Sequence, residues 1–308
     1  MIITVTPNAA LDVTYEVDVL TRHTSHRVRG VTERAGGKGV NVASVLAQLG
    51  HDVVVTGCAG GATGAQIRAD LDARSVTHSF ADSGGEARRT LTVVSTSEGD
   101  ATVFNEPGPE QSPEVWQALL DHVGALVVET GATVVVLSGS LPPGFPVDGY
   151  ASLVRLCRDA GAAVILDADG EPLRLGLPAG PDIVKPNRAE LSEATGAEDV
   201  AAGVVALRAL GARDVVVSAG PEGLTWYAAD GTTVRARLDT MLDGNPTGAG
   251  DAVVAALAAG LADARPRDVV VRDAVAWSAA AVLQPVAGQV DPTDVARLAA
   301  QTLVEDVR

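Results

Sequence analysis

Two hydrophobic patterns alternate along most of the chain and predict an α/β fold. Short, almost wholly apolar runs, such as residues 2–6 and 53–57, are typical of strands that are buried in a parallel sheet. From residue 113 onward, segments that favour helices precede a Val-rich run at 133–138 and an apolar run at 163–167. Because strands that alternate with helices form parallel sheets, we expect a central, mostly parallel sheet with helices on both faces.

Two segments depart from this alternation and have the pattern of strands with one exposed face. In residues 12–33, hydrophobic and polar residues alternate through Val13-Thr14-Tyr15-Glu16-Val17, and the alternation returns at 27–31. In residues 86–105, two β-rich runs flank a polar turn. We predict a single domain over residues 1–308, in which these two segments form a small β-sheet lid.

The carboxyl ends of the predicted strands are unusually polar or rich in glycine. These ends are Pro7-Asn8, Gly57, Ser138-Gly139-Ser140, Asp167, Lys185-Pro186-Asn187 and Ser218-Ala219-Gly220. Ligands of open α/β folds bind outside the carboxyl ends of the strands. The sequence therefore predicts a functional edge, to which many separate segments contribute.

Composition narrows the class of function. The chain has 308 residues, of which 46% are hydrophobic, and this is enough for a sizeable core. Its net charge of −16 argues against nucleic acids and anionic membranes as partners. A small anionic substrate stays open, but local basic residues must then bind it.

The sequence also favours a reducing, cytoplasmic setting. The two cysteines, Cys58 and Cys157, form neither a disulfide framework nor a metal-binding spacing. The first residues lack the basic and apolar regions of a signal peptide, and no apolar run reaches the length of a membrane span. We therefore expect a cytoplasmic enzyme or binding protein.

The principal candidate for chemistry is the turn Asn245-Pro246-Thr247-Gly248-Ala249-Gly250-Asp251, which runs into an apolar helix. Unpaired N–H groups and the dipole at a helix start bind anions, and glycines leave room for an anion to approach. A carboxylate there could take a proton from a hydroxyl group while the N–H groups hold a phosphoryl group. The alternative is an ordinary helix cap with Asp251 in the first turn.

A second candidate for anion binding is Gly36-Gly37-Lys38-Gly39, at the start of another predicted helix. It is not a P-loop, because no glycine stands at the required spacing before it and Gly39 replaces serine or threonine. Lys38 either meets a phosphate at the helix start or is a solvated lysine in a tight turn. Arg88 and Arg27 add positive charge on the lid segments, where the alternative is a solvated strand face.

Asn187 and Glu190 form a candidate metal site. They lie three residues apart at a predicted helix start, so their side chains share one side of that helix. Such a pair could hold Mg²⁺ through water, because Mg²⁺ keeps most of its hydration shell. The alternative is an asparagine cap with an exposed glutamate.

Together these motifs resemble the phosphofructokinase-B, or ribokinase-like, family of sugar kinases, over nearly the whole chain. The motifs are Thr6-Pro7-Asn8 with Asp12, Gly36 to Asn41, Gly60 to Gly64, Ser138 to Gly144, Val184 to Asn187 with Glu190, and Asn245 to Asp251. Within the family, Lys38 between glycines points to the hexose-phosphate branch, which contains 1-phosphofructokinases and tagatose-6-phosphate kinases.

The resemblance implies a ribokinase-like fold and a role for each motif. Asp251 is the expected catalytic base, and the N–H groups of Gly248, Ala249 and Gly250 are expected to hold the transferring phosphoryl group. The other implied contacts are Asp12, Gly37 and Asn41 for sugar hydroxyls; Lys38, Arg88, Arg27 and Ser140 for the phosphate of the substrate; Lys185, Asn187, Ser218, Gly220 and Gly223 for ATP; and Asn187 with Glu190 for Mg²⁺. Adenine is expected against the start of the helical region 268–284.

The implied reaction is the ATP- and Mg²⁺-dependent conversion of fructose 1-phosphate to fructose 1,6-bisphosphate. The alternative substrates are tagatose 6-phosphate and fructose 6-phosphate, each phosphorylated at the 1-hydroxyl. Ala87-Arg88-Arg89-Thr90 stands where relatives commonly have Thr-Arg-x-Asn, and this departure could shift the sugar preference.

Three further expectations concern the class and assembly of the protein. A catalytically silent sugar-phosphate sensor is an alternative of another class. A dinucleotide oxidoreductase is disfavoured, because no Gly-x-Gly-x-x-Gly follows the first strand. A homodimer through the lid is expected by analogy with relatives, since the lid pattern has an apolar face to cover.

Overall fold

The computed structural model describes residues 1–307, which form two sheets and ten α-helices. The strands are β1 Ile2–Thr6, β2 Ala10–Val17, β3 Gly30–Gly36, β4 Val53–Cys58, β5 His78–Ala81, β6 Arg88–Ser95, β7 Asp100–Asn105, β8 Val134–Ser138, β9 Ala163–Asp167, β10 Ile183–Val184, β11 Asp214–Ser218, β12 Leu224–Tyr227, β13 Thr233–Leu238 and β14 Thr302–Asp306. The helices are α1 Lys38–Gln48, α2 Gly61–Ala73, α3 Pro113–Thr130, α4 Gly149–Asp159, α5 Gly170–Gly176, α6 Arg188–Thr195, α7 Val200–Ala209, α8 Ala249–Ala262, α9 Arg267–Val282 and α10 Pro292–Gln301.

The larger sheet has ten strands in the order β14-β13-β12-β11-β10-β9-β8-β1-β4-β5. The seven strands from β11 to β5 pair in parallel, whereas β12, β13 and β14 are antiparallel additions at one edge. The mostly parallel sheet is therefore confirmed. Because parallel strands point the same way, all of their carboxyl ends meet at one edge of the sheet.

Helices cover both faces of this sheet, as expected. Neighbouring residues of β1 point to opposite faces, so that Ile2 and Ile3 lie in two different hydrophobic cores. The first core packs against α1, α2, α8, α9 and α10. The second core packs against α3, α4, α6 and α7. Both cores are rich in alanine and valine, and such small side chains allow helices to pack close to the strands.

Local sequence signals set where the helices begin and end. Helix α3 has a proline in its first turn and ends at Gly131, whose left-handed φ of 62° is easily reached by glycine. Helix α6 begins with a capping box, in which Asn187 and Glu190 each bond the backbone N–H of the other. Helices α1 and α8 begin at Lys38 and Ala249, which places both glycine-rich motifs in first helical turns.

The smaller sheet has four strands in the order β3-β2-β6-β7. Leu11 and Val13 of β2 are buried in the core that contains α1 and α2, so one face of this sheet rests on the main body. Every residue of β7 is exposed. Two earlier predictions stay predictions: residues 1–308 form a single domain, and the small sheet acts as its lid.

The structure corrects two element predictions and adds two short elements. Residues 27–29 are not in a strand, because β3 begins at Gly30, and Arg27 is an exposed loop residue. The predicted helix over 292–303 ends at Gln301, since Thr302–Asp306 pair with β13 along the sheet edge. Strand β5 and helix α5 have only four and seven residues and carry no clear hydrophobic period. Among residues 1–307, no helix is both long and apolar enough to cross a membrane.

Candidate active site

Three charged side chains are buried at the carboxyl edge of the large sheet. Asp167, Lys185 and Asp251 are only 2%, 5% and 8% exposed. Asp167 ends β9, Lys185 directly follows β10, and Asp251 lies in the first turn of α8. Charged groups are seldom buried unless they are paired, so this cluster marks the edge as a site with a chemical role.

The turn before α8 is held open by glycine. Gly248 has a φ of 85°, and a Cβ atom added to it would lie 2.8 Å from Cβ of Ala287, so a side chain does not fit there. No side chain caps the helix. Asp251 instead accepts a hydrogen bond of 2.8 Å from Nδ2 of Asn41 in α1. The alternative interpretation of this motif was an ordinary helix cap. The structure shows no side chain in that role at the start of α8.

Burial changes the acidity of Asp251. Desolvation, together with the negative charge of Asp167, raises its pKa from 3.8 to about 7. The hydrogen bond from Asn41 and the nearby ammonium groups of Lys38 and Lys185 oppose that rise. A carboxylate with a pKa near neutrality is well suited to accept a proton from a hydroxyl group.

Asp167 is the centre of a buried ion cluster. Its Oδ1 lies 3.2 Å from Nζ of Lys185, and its Oδ2 accepts a hydrogen bond of 3.0 Å from the Ser138 hydroxyl. Burial alone would raise the pKa of Asp167, but the ammonium groups of Lys185 and Lys38 hold it below its ordinary value. Lys38 also lies 3.8 Å from Asp169. Sequence reasoning missed this cluster, although Asp167 was visible as a polar strand end.

A second group of polar side chains lies on the small sheet. Asp12 on β2 is directly opposite Thr90 on β6. Burial raises the pKa of Asp12 to about 6, while a hydrogen bond with Thr90 and the charges of Arg88 and Arg34 oppose the rise. A Cβ atom on Gly36 would lie 2.0 Å from Oδ2 of Asp12, so only glycine leaves room for this carboxylate. Thr90 and Arg34 were not among the predicted site residues.

Asn8 connects the small sheet to the large one. Its backbone carbonyl accepts a hydrogen bond of 3.1 Å from Nε of Arg88, and its Nδ2 donates to the Ser140 hydroxyl at 3.1 Å. Arg88 and Ser140, which come from distant segments, are thereby brought into one cluster. Arg27, in contrast, is exposed in the loop before β3. Gly37, with a φ of 103°, lies directly before Lys38 at the start of α1.

A cavity of about 290 Å³ adjoins the start of α8. Ser218, Gly220 and Gly223 lie on its wall, together with Ala249 and Gly250 of the turn. The remaining lining residues are Pro221, Leu224, Leu238, Thr240, Met241, Leu242, Gly244, Pro246, Val253, Val275, Ser278, Ala279 and Val282. A mostly apolar cavity with a few polar groups, open to a helix start, has the character of a nucleotide site.

The cavity lies against the second half of α9, whereas the sequence predicted that adenine would bind at the start of this helix. The lining residues Val275, Ser278, Ala279 and Val282 belong to that second half. Sequence reasoning named none of these four residues, because small and apolar helix residues carry no motif. A wider groove of about 580 Å³ is lined by residues of α3 and α4 and holds none of the predicted site residues.

Asn187 and Glu190 are partly occupied by the capping box of α6. Oδ1 of Asn187 accepts from the backbone N–H of Glu190 at 2.9 Å, and Oε2 of Glu190 accepts from the N–H of Asn187 at 2.8 Å. Oε1 of Glu190 has no part in this box, so one carboxylate oxygen fits a hydrated Mg²⁺. Within residues 1–307, no three His, Cys, Asp or Glu side chains converge in a way that could hold a metal ion directly.

Comparison with known proteins gives a family match and several similar structures. A family model described as pfkB family carbohydrate kinase matches residues 6–294. Phosphofructokinase-2 from Escherichia coli, in complex with potassium, superimposes with a TM-score of 0.90 at 28% identity over 97% of this chain and 98% of that chain. Other structures of that protein are a complex with fructose-6-phosphate and a tetrameric inhibited form.

Two more distant structures share the fold. A Thermotoga maritima protein described as "possible 1-phosphofructokinase" has a TM-score of 0.88 at 24% identity, over 100% of both chains. Arabidopsis thaliana ribokinase, complexed with ribose and ATP, has a TM-score of 0.75 at 22% identity, over 97% of this chain and 98% of that chain. The ribokinase-like architecture is therefore confirmed.

Proposed function

The chain belongs to the pfkB family of carbohydrate kinases, and we propose on that basis that it transfers the γ-phosphoryl group of ATP to a ketohexose phosphate. The substrate that we favour is fructose 1-phosphate, with fructose 1,6-bisphosphate as the product. The observation that carries the proposal is Asp251, a buried carboxylate with a pKa of about 7 beside an uncapped, glycine-rich helix start.

We assign the sugar to the space between the two sheets. Asp12, Gly37 and Asn41 bind its hydroxyl groups, and Arg88 with Ser140 binds its phosphate. The bonds from Arg88 to Asn8 and from Asn8 to Ser140 support this pairing, because they hold the two phosphate contacts in one place. Arg27, exposed on its loop, is the remaining candidate for that phosphate.

The nucleotide fits the other side of Asp251. The 290 Å³ cavity, with Ser218, Gly220 and Gly223 on its wall, accepts adenosine, and its opening toward Ala249 and Gly250 directs the phosphates to the start of α8. Bound Mg²⁺ neutralises phosphate charge, and Asn187 with Glu190 would hold it through water. The acceptor hydroxyl oxygen forms a bond to the γ-phosphorus as the bond to the β–γ bridging oxygen breaks. Asp251 takes the hydroxyl proton, and ADP leaves.

Fructose 6-phosphate and tagatose 6-phosphate are the alternative substrates. The complex of E. coli phosphofructokinase-2 with fructose-6-phosphate supports the first of them. Fructose 1-phosphate and tagatose 6-phosphate are supported by the Gly-Gly-Lys-Gly motif around Lys38, because that motif resembles the branch that contains 1-phosphofructokinases and tagatose-6-phosphate kinases. Coupled measurement of ADP release with the three sugar phosphates and with unphosphorylated fructose separates these cases. Turnover of unphosphorylated fructose alone would contradict the assignment of Arg88 to a phosphate.

We expect Arg88→Gln to raise the KM for the sugar phosphate about 10- to 100-fold, because a hydrogen bond to a charged group contributes about 1.5–3 kcal/mol. The KM for unphosphorylated fructose should not change. Arg89→Gln is the matched control, since Arg89 is exposed and adjacent strand residues point to opposite faces. Equal KM values for the two variants would remove Arg88 from the phosphate site.

We further propose that the protein is a cytoplasmic homodimer that associates through the small sheet. Val31 and Phe104, at its two edges, are 58% and 53% exposed. The register places both on the same face, because Val31 pairs with Tyr15, Tyr15 with Val93, and Phe104 with Leu91. The tetrameric form of E. coli phosphofructokinase-2 supports self-association in this family, and two free cysteines, Cys58 and Cys157, support a reducing compartment.

Phe104→Ser should shift the protein from dimer to monomer in light scattering after size exclusion. The exposed aromatic ring supplies apolar area that a dimer would bury. Val128→Ser is the control, because Val128 is 73% exposed but lies on helix α3. A dimer that survives Phe104→Ser and dissociates with Val128→Ser would place the interface elsewhere.

A further inference from the structure

The chain contains only two lysines, Lys38 and Lys185, although it has 23 lysine and arginine residues in total. Every other basic side chain of that group is an arginine. Both lysines contact carboxylates that follow one another at the end of β9: Lys185 lies 3.2 Å from Asp167, and Lys38 lies 3.8 Å from Asp169. A chain that uses arginine everywhere else has kept an ammonium group at these two positions only.

Lys185 points toward the helix start of α8. A Cβ atom on Gly250 would lie 3.7 Å from Nζ of Lys185, which places the ammonium group against the glycine-rich turn. Its other neighbour is Asp167, at 3.2 Å. Lys185 does not line the cavity assigned to adenosine. The ammonium group is therefore at the phosphate end of the nucleotide site.

Lys38, the first residue of α1, reaches the same carboxylate cluster, because its Nζ lies 3.8 Å from Oδ2 of Asp169, two residues after Asp167. The negative charges of Asp167, Asp169, Glu190 and Asp251 raise the pKa of Lys38, while burial opposes them. Glu190 is the candidate for Mg²⁺, and Asp251 is the candidate base. The ammonium group of Lys38 therefore interacts electrostatically both with the proposed Mg²⁺ ligand, Glu190, and with the proposed base, Asp251.

Arg88 has different contacts. Its guanidinium donates to the carbonyl oxygen of Asn8 at 3.1 Å, to the Thr90 hydroxyl at 3.4 Å and to the carbonyl oxygen of Glu106 at 3.4 Å. The contact of Lys38, in contrast, is Asp169 at 3.8 Å. The two cations that the family resemblance assigned to one phosphate therefore share no contact partner.

We propose that Lys38 and Lys185 together hold the phosphoryl group during its transfer, and that Lys38 does not bind the substrate's own phosphate. This inference rests on the proposed kinase function and changes the role of one residue within it. The two ammonium groups flank the path to Asp251, and Asp167 holds Lys185 in place from below. They neutralise the charge that is spread over the phosphoryl oxygens while the bond to the bridging oxygen breaks.

The choice of lysine over arginine fits this role. An ammonium group is a compact point charge with three donors on a flexible stem, whereas guanidinium is a wide planar fork. Gly37 and Gly39 flank Lys38 and add no side chains beside it, so they leave the approach of a phosphoryl group open.

Because the chain has only two lysines, their ammonium ends can be observed selectively by NMR. Protein grown with lysine carrying carbon-13 at Cε should give two side-chain signals. Addition of AMP-PNP with Mg²⁺ should shift both signals, whereas fructose 1-phosphate alone should shift neither by a comparable amount. A shift of the Lys38 signal with fructose 1-phosphate alone, and none with AMP-PNP, would overturn the proposal. Lys185→Arg assigns the two signals.

Lys38→Met, which keeps most of the apolar stem, separates the two roles by binding and kinetics. We expect kcat to fall about 100-fold, as when one transition-state donor is lost, while calorimetry shows a Kd for fructose 1-phosphate within about threefold of wild type. Arg88→Gln should do the reverse. A Kd raised as much by Lys38→Met as by Arg88→Gln would return Lys38 to the sugar-phosphate site.

The failure of this inference is distinguishable from the failure of the proposed function. Wild-type protein that phosphorylates none of the sugar phosphates would contradict the function, whereas the NMR response to AMP-PNP tests the lysines without turnover. If Lys38→Met does not fold, as judged by its thermal midpoint, the wild-type NMR experiment still decides the proposal.

Discussion

Asp251→Asn should lower kcat about 1,000-fold and leave the KM values for both substrates nearly unchanged. A positioned general base contributes about 100- to 10,000-fold to the rate, and asparagine keeps the shape of the side chain without its basicity. The hydrogen bond of 2.8 Å from Asn41 can be kept, because the asparagine carbonyl also accepts. Coupled ADP release at saturating substrate measures the loss.

Asp243→Asn is the matched control, because Asp243 is an exposed carboxylate shortly before the same turn. It should retain wild-type turnover. If wild type and Asp251→Asn consumed ATP at the same negligible rate, the alternative of a catalytically silent sugar-phosphate sensor would be supported instead.

The pH profile tests the same group independently. Since the pKa of Asp251 in the free protein is raised to about 7, wild-type kcat/KM should rise with pH up to about 7 and then level off. The residual activity of Asp251→Asn should lack this acid limb. The sign for stability is opposite: the raised pKa means that the folded state loses stability as pH rises from 3.8 to about 7. Asp251→Asn should therefore melt no lower than wild type at pH 8.

Asp167→Asn should lower the free energy of unfolding by about 3–5 kcal/mol, because removal of one partner from a buried ion pair leaves the other charge uncompensated. Here Lys185 loses its partner at 3.2 Å, at a position that is only 5% exposed. Chemical denaturation above pH 6 measures the change. The depressed pKa of Asp167 means that its contribution is present above its ordinary value of 3.8 and is lost as pH falls below it.

Ser138→Ala is the control for this prediction. It removes the neutral donor to Oδ2 of Asp167 and should cost about 1.5–3 kcal/mol, less than the loss of the charged partner of Lys185. Asp167→Asn should also move the acid limb of the kcat/KM profile to lower pH, because the negative charge of Asp167 is one cause of the raised pKa of Asp251. If Asp167→Asn lowered the stability but left the acid limb unchanged, Asp167 would contribute to the stability of the fold and not to the raised pKa of Asp251.

Much of the fold was predictable because its signals are local. Val-rich runs, glycine turns and the capping residues of α6 mark strands and helices within a few residues of their observed bounds. The strand β14 was not predicted, since Thr302–Asp306 become a strand only by pairing with β13, more than sixty residues earlier in the chain. The start of β3 at Gly30 was also missed, because the exposed residues 27–29 continue the alternation of the strand although they lie outside it.

Part of the candidate site could likewise be predicted from the sequence, and part of it could not. The sequence by itself determined the family, the glycine-rich turn before Asp251, and the positions of Lys38 and Arg88, because each rests on a contiguous motif or a residue type. Only the tertiary structure decided which charges meet. Asp167 became the centre of the site because β9 and β10 pair. Lys38 and Arg88, which begin α1 and β6, meet different partners, since Lys38 contacts Asp169 and Arg88 contacts Asn8. Burial and electrostatic fields depend on all neighbours in space, so the acidity of Asp251, like the division of labour among the cations, could not be predicted from a linear motif.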